Sequence, residues 1–170
     1  MRIDSEFFQN EALFVAQGLL GKKIVRVYDS GKIEKYTITE TEAYVGEEDL
    51  ACHASKGRTK RTEIMYHEGG KVYVYLIYGI YWMLNFVTGK ENNPQAVLIR
   101  GVEKCSGPGR VGKLLQLSGD FYGEDLSYSS KIWIEDSHVK PNFITTERIG
   151  IDYAGEIWKN KLWRFLITRN

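Results

Sequence analysis

Two carboxylates, Glu40 and Glu42, stand two positions apart in the strand-like run Lys35 to Tyr44, KYTITETEAY. A period of two places both side chains on one face of a strand. That face continues Tyr36 and Ile38, while Thr37, Thr39 and Thr41 turn the other way, so the acidic pair extends an apolar stripe. An ionised carboxylate aimed at a core is costly unless it is paired or hydrogen-bonded, so such a residue neutralises, finds an arginine or does chemistry. The bland alternative is the solvated end of an edge strand. About 30 residues downstream, Val72 to Val87, VYVYLIYGIYWMLNFV, joins two apolar β-type runs at Tyr78-Gly79 and crowds Tyr73, Tyr75, Tyr78, Tyr81 and Trp82 around the turn. Glycine tolerates the positive φ of a tight hairpin. A tip this aromatic is either capped within the fold or wedges into a partner, and any one of the aromatics read alone is equally at home in a sheet core.

The elements that position these residues follow from punctuation and period. Phe8 to Leu20 reads as an amphipathic helix closed by Gly21. Strands follow near Lys23 to Val27 and Ile33 to Glu42, joined by Asp29-Ser30-Gly31. Val45 to Gly70 is polar and glycine-containing, a long irregular stretch of the kind that often carries function. Strands come next at Val72 to Ile77, Ile80 to Val87 and Ala96 to Val102, then a helix around Val111 to Leu117, a strand near Ile132 to Ile134, and Trp163 to Thr168 to close the sheet.

With 170 residues, 43% of them hydrophobic and 26% charged, one domain spanning 1–170 is the default. No apolar run approaches the roughly 20 residues of a membrane helix, and MRIDSEFFQN lacks the apolar block of a secretory signal, so the expected compartment is the cytoplasm. Cys52 and Cys105 have neither CxxC nor zinc spacing, so free thiols and no metal are expected. A net charge of +1 is low for a nucleic-acid binder, yet the cations cluster. Lys56, Arg58, Lys60 and Arg61 follow His53; Lys104, Arg110 and Lys113 flank Gly107-Pro108-Gly109; Lys159, Lys161, Arg164 and Arg169 crowd the C-terminus. A basic face set against the acidic stretches Glu47 to Asp49 and Gly119 to Asp125 would reconcile the two, although scattered lysines are commonly only a solvated surface.

ETEAY at Glu40 to Tyr44, AxHA at Ala51 to Ala54, GRT at Gly57 to Thr59, YVYLIYGxY at Tyr73 to Tyr81 and VLIRG at Val97 to Gly101 together resemble the alkyladenine (3-methyladenine) DNA glycosylase family. The likeness continues in order through GPG at Gly107, GEDL at Gly123, RIGI at Arg148 and WRF at Trp163, nearly the whole chain. The resemblance implies a mixed α+β domain with a curved, mainly antiparallel sheet, flanking helices and a protruding aromatic β-hairpin. It implies a monomeric enzyme without cofactor whose partner is double-stranded DNA containing damaged purines, among them 3-methyladenine, 7-methylguanine, hypoxanthine and ethenoadenine. Such an enzyme must take the base out of the stack.

By the same resemblance Glu42 is the base that activates water against C1′, and Arg100 holds the water or a neighbouring phosphate. Tyr44, His53 and Tyr75 sandwich the extruded purine, with cation–π attraction for an alkylated, positively charged base. Residue spacing alone favours reading His53 as a core histidine, and the resemblance reverses that preference. Asn85 lies at the pocket floor and disfavours the exocyclic amine of guanine, Ile151 contacts the flipped nucleotide or packs in the core, and Glu40 is structural. Tyr78 fills the gap left in the duplex, and Arg58, Lys60 and Arg61 hold DNA. Three departures from the family pattern stand out: Thr62, where the GRT block is often followed by Arg-Asn, Cys52 beside the pocket histidine, and Asp152 after Ile151. Two rivals remain. A hydrolase of free sugars would need opposed carboxylates, to which two side chains on one strand are a poor fit. A catalytically silent binder of damaged or distorted DNA would keep the wedge and the basic loops without needing Glu42.

Overall fold

The computed structural model describes residues 1–168. Its centre is a nine-stranded sheet in which every pairing is antiparallel, running β3-β4-β5-β2-β1-β7 with β9 also on β2, β8 on β9 and β6 on β5. The strands are β1 Lys23–Val27, β2 Ile33–Val45, β3 Val72–Ile77, β4 Tyr81–Thr88, β5 Gln95–Val102, β6 Cys105–Ser106, β7 Ile132–Glu135, β8 Phe143–Thr146 and β9 Arg164–Ile167. Helices α1 Ser5–Phe8, α2 Ala12–Leu19, α3 Pro108–Leu114 and α4 Glu156–Lys159 flank it. The mixed α+β architecture with a projecting aromatic hairpin is as the family resemblance implied, and no helix of the described residues is long and apolar enough to cross a membrane. Arg169, counted among the C-terminal cations, lies outside the described residues.

The expected single helix over Phe8 to Leu20 is two helices. Asn10 Nδ2 donates back to the carbonyls of Glu6 (3.3 Å) and Phe7 (3.0 Å), and Gly89 N–H takes those of Phe8 and Asn10. With these last-turn carbonyls satisfied from outside, α1 stops. The chain restarts where Gln95 Oε1 accepts the Ala12 N–H at 2.7 Å. From there Ala12, Val15, Ala16 and Leu19 recur at helical spacing and are all buried against the sheet. α3 begins three residues before the Val111 start that its apolar residues suggest, because Pro108 occupies the first helical position behind Gly107 at φ +106. It packs so closely that a Cβ on Gly112 would lie 1.9 Å from the Trp82 carbonyl oxygen.

β2 corrects the expected facing of the acidic pair. Ile38 pairs with Val102 and Thr41 with Ile99, but between them Glu40 pairs with Gly101, leaving Thr39 on one strand and Arg100 on the other without partners. This double bulge shifts the phase of both strands by one residue. Before it Tyr36 and Ile38 enter the main core; after it Ala43 does, and Thr41 Oγ1 donates to Ala16 O of α2 at 2.8 Å. Glu40, Glu42 and Tyr44 therefore leave the apolar stripe and face the opposite side of the sheet. On β5 the core face likewise moves from Val97 and Ile99 to Val102.

Candidate active site

Pair by pair, one row crosses five strands: Tyr73 opposite Asn85, Asn85 opposite Leu98, Leu98 opposite Glu42, and Glu42 opposite Arg164. Directly opposed residues share a face, so this row is a floor from β3 to β9. Tyr75 of β3 rises at one end of an adjoining cavity and Tyr44 of β2 at the other. Between them lie the floor residues Asn85 and Ala96. His53, at the head of a 3₁₀ turn in the long loop, leans on Tyr75 edge-to-face with ring centres 4.6 Å apart, and its Nδ1 lies 2.8 Å from the Tyr73 hydroxyl. An inner cavity of about 50 Å³ shares Tyr44, His53, Tyr75 and Tyr153 with a cleft of about 680 Å³ that runs past Arg100 to Tyr78.

Glu42 has no solvent exposure. Its Oε2 accepts the Ile149 N–H at 2.7 Å; its Oε1 accepts the Tyr44 hydroxyl at 2.9 Å and lies 3.5 Å from Arg100 Nη1. Burial raises its pKa, against the opposing pull of Arg100 and the Ile149 N–H. Desolvation wins because Arg100 is shared. Its Nε lies 3.3 Å from Glu40 Oε1, which Arg164 Nε also engages. Glu40 is thus held between two guanidiniums, and Glu42, despite its three polar partners, is made more basic by burial.

The pocket histidine is neutral: burial, then Arg61 and Lys56, push its pKa down to about 4. Burial also pushes the neighbouring Cys52 thiol up to about 12, so this wall holds an unreactive thiol. Asn85, 3% exposed, donates from Nδ2 to Tyr73 O at 3.2 Å. Ile151 lines the cleft and packs with Ala51 and Ala154 in a small cluster against which Tyr44 rests.

At the tip, Ile80 N–H donates to Ile77 O at 3.1 Å, and Tyr78 is 89% exposed with φ +54. A tyrosine in the left-handed region costs on the order of 1 kcal/mol. Held there with its ring in water, Tyr78 contributes little to the packing of the described residues.

The basic loop divides. Arg61 and Lys56 line the cleft, whereas Arg58 grips Glu63 at 2.6 and 2.8 Å over the Tyr66 ring, and Lys60 does not reach the cleft. Thr62 settles its own departure from pattern: buried, it accepts the Thr59 N–H at 2.9 Å and donates to Gly57 O at 3.0 Å, closing the loop from within. Asp152 is 94% exposed, 3.9 Å from Lys159, and is not among the cleft residues.

Sequence reasoning missed one pair. Arg148 and Asp49, whose side chains have no solvent exposure, form a bidentate ion pair at 2.7 and 3.0 Å. Arg148 also donates to Ala43 O and Trp158 O and lies 4.9 Å from the ring centres of both Tyr44 and Trp163. Asp49 accepts the N–H groups of Val45 and Ala51. The pair therefore ties the end of β2 to the loop carrying His53 and to the segment whose Ile149 N–H holds Glu42. The only hint in the sequence is a lone arginine at the head of RIGI. The 99 residues separating it from Asp49 conceal the partnership.

A model of the methylpurine-DNA glycosylase family matches residues 6–170. The chain belongs to that family. Among similar proteins, one of Psychrobacter cryohalolentis is 41% identical over 195 residues, covering 98% of this chain and 92% of its own length. One of Borreliella afzelii is 43% identical over 181 residues (99% and 97%), and one of Rickettsia felis 43% over 170 (96% and 91%). All three carry the name "Putative 3-methyladenine DNA glycosylase". Membership makes this methylpurine-DNA glycosylase homologue a hydrolase of N-glycosyl bonds in DNA and a protein of base-excision repair.

Proposed function

We propose that the protein flips alkylated or deaminated purines (3-methyladenine, 7-methylguanine, hypoxanthine and ethenoadenine) out of duplex DNA and hydrolyses the N-glycosidic bond with water activated by Glu42. The observation that carries this reading is a wholly buried carboxylate of raised basicity beside an aromatic-walled cavity. Three of the roughly four lone-pair directions of the Glu42 carboxylate are taken by Ile149 N–H, Tyr44 and Arg100, which leaves about one for a water. As that oxygen bonds to C1′, its proton passes to Glu42 and the electron pair of the breaking bond leaves with the base. Tyr44 faces one side of the base, and His53 with Tyr75 the other. Asn85 meets its edge from the floor, Ile151 supports the platform, Arg100 steadies the water or a phosphate, and Tyr78 fills the vacated stack while Arg61 meets the DNA backbone or base at the cleft.

The reaction is monofunctional in this reading, with water as nucleophile. Among the described residues that line the inner cavity there is no lysine, and the one thiol stays protonated. The test is single-turnover base release from duplexes containing one of the four lesions, with wild type and Glu42→Gln in parallel. Glu42→Gln lowers release by at least about 10²-fold while lesion binding persists. Release unaffected by Glu42→Gln refutes the mechanism, and tight lesion binding without release by wild type makes the protein a silent binder.

A further inference from the structure

The residues lining the outer cleft include Lys56, Arg61 and Arg100 but no aspartate or glutamate. Such a passage suits phosphate; it is less hospitable to a base that itself carries positive charge. Among the cations lining the cleft, Arg61 stands against the base platform, its guanidinium carbon 5.0 Å from the centre of the Tyr75 ring. The loop backbone beneath it is fixed, because the Tyr122 hydroxyl donates to the Arg61 carbonyl at 2.9 Å and accepts the Ile64 N–H at 3.1 Å, while the side chain itself is exposed. Tyr75 therefore already carries a cation–π partner before any base arrives.

Resting on the base-excision reading above, we propose that Arg61 selects bases by charge, favouring purines that are neutral while attached to the sugar over purines made cationic by alkylation at N3 or N7. Two effects act in the same direction. A cationic base brought beside Tyr75 is repelled by the guanidinium. A neutral base receives the bonding electron pair as N9–C1′ breaks and develops negative charge, which the guanidinium stabilises; the cationic base departs neutral and gains nothing of the kind. The downward shift of the neighbouring His53, in which Arg61 follows burial as a cause, is the same field acting on another proton-binding ring. At a separation of about 8 Å the discrimination lies between about twofold under water-like screening and about thirtyfold at an effective dielectric near 20.

The experiment compares kcat/KM for release of 7-methylguanine and hypoxanthine from one duplex sequence by wild type, Arg61→Gln and Arg61→Lys. Arg61→Gln is expected to raise the 7-methylguanine to hypoxanthine ratio by roughly tenfold, while Arg61→Lys, which keeps the charge, stays within about twofold of wild type. An equal change for both lesions in Arg61→Gln, with a salt dependence of binding reduced by about one unit of slope, overturns the proposal and leaves Arg61 a phosphate contact. A wild type that releases neither base overturns the base-excision reading itself, an outcome distinct from an unchanged ratio.

Discussion

Replacing Arg148 by methionine keeps much of its length and removes its charge, so the variant isolates what the buried ion pair does. Asp49 would retain the Val45 and Ala51 N–H groups at 2.9 and 3.1 Å, but its carboxylate, without solvent exposure, would have no countercharge. Breaking such a pair costs about 3–5 kcal/mol, against a total stability of about 5–15 kcal/mol for a domain of ordinary stability. The Ala43 and Trp158 carbonyls lose a donor as well. Asp49→Asn strands the guanidinium instead and belongs in the same range. The double variant Asp49→Asn/Arg148→Met leaves no buried charge at this point and should cost less than the sum of the singles by at least about 2 kcal/mol. Urea unfolding followed by tryptophan fluorescence reads this directly, because Trp158 and Trp163 border the pair. Single variants that cost under about 1 kcal/mol, or costs that add within about 0.5 kcal/mol, would refute the assignment of Asp49 and Arg148 as the clamp of the site.

Tyr78→Gly removes an exposed ring and relieves a left-handed φ, so stability should hold or rise by about 1 kcal/mol while affinity for lesion-bearing duplex falls; a sharp drop in melting temperature with binding intact would make Tyr78 a packing residue. His53 has a folded-state pKa of about 4 and an ordinary value near 6.5, so its contribution is complete above pH 6.5 and is lost as pH falls toward 4. That loss is on the order of 3 kcal/mol in all, about 2 of it by pH 5. Glu42, whose pKa is raised, shifts stability the opposite way, so urea midpoints at pH 7 and 5 should be compared with His53→Gln, and equal slopes in the two proteins would contradict the assignment. Gly112→Ala drives a Cβ to 1.9 Å from the Trp82 carbonyl, so α3 must shift off β4 and the protein should lose at least about 2 kcal/mol in the same unfolding assay; an unchanged midpoint would show that the contact is not tight.

Most strands were legible because their signals are local. Asp29-Ser30-Gly31 does close the β1–β2 hairpin, with Gly31 at φ +85 and its N–H on Tyr28 O at 2.8 Å, and Val72 to Ile77 matches β3 residue for residue. What stayed hidden depends on distant partners. Phe143–Thr146 reads ordinarily as sequence and becomes a strand only because β9 offers it an edge. The break between α1 and α2 is made by Gly89 and Gln95, far along the chain. Of the candidate site, Tyr44, His53, Tyr75 and Glu42 were singled out from their sequence blocks and do come together around one cavity and cleft, but Asp49 was read only as part of an acidic stretch. Nothing in its neighbourhood announces an arginine 99 residues away.

The misread facing of Glu40 and Glu42 explains how one strand serves both core and chemistry. A regular β2 carrying Tyr36 and Ile38 inward would also send Glu40 and Glu42 into the core beneath α2, where the partner groups are apolar side chains and the carbonyl of Ala16. An acceptor beside another acceptor in that setting would protonate or unfold the region. With Thr39 and Arg100 unpaired on adjacent strands, the phase slips once and the register recovers, so Thr41 supplies the donor that Ala16 O requires and Glu42 emerges opposite Leu98 on the cleft side. The bulged residue Arg100 is also the one whose guanidinium spans Glu40 and Glu42. One irregularity in the ladder thus reverses the carboxylate and places its cation beside it. It does so without weakening the core, since Val97 and Ile99 before the slip and Val102 after it remain in one apolar cluster.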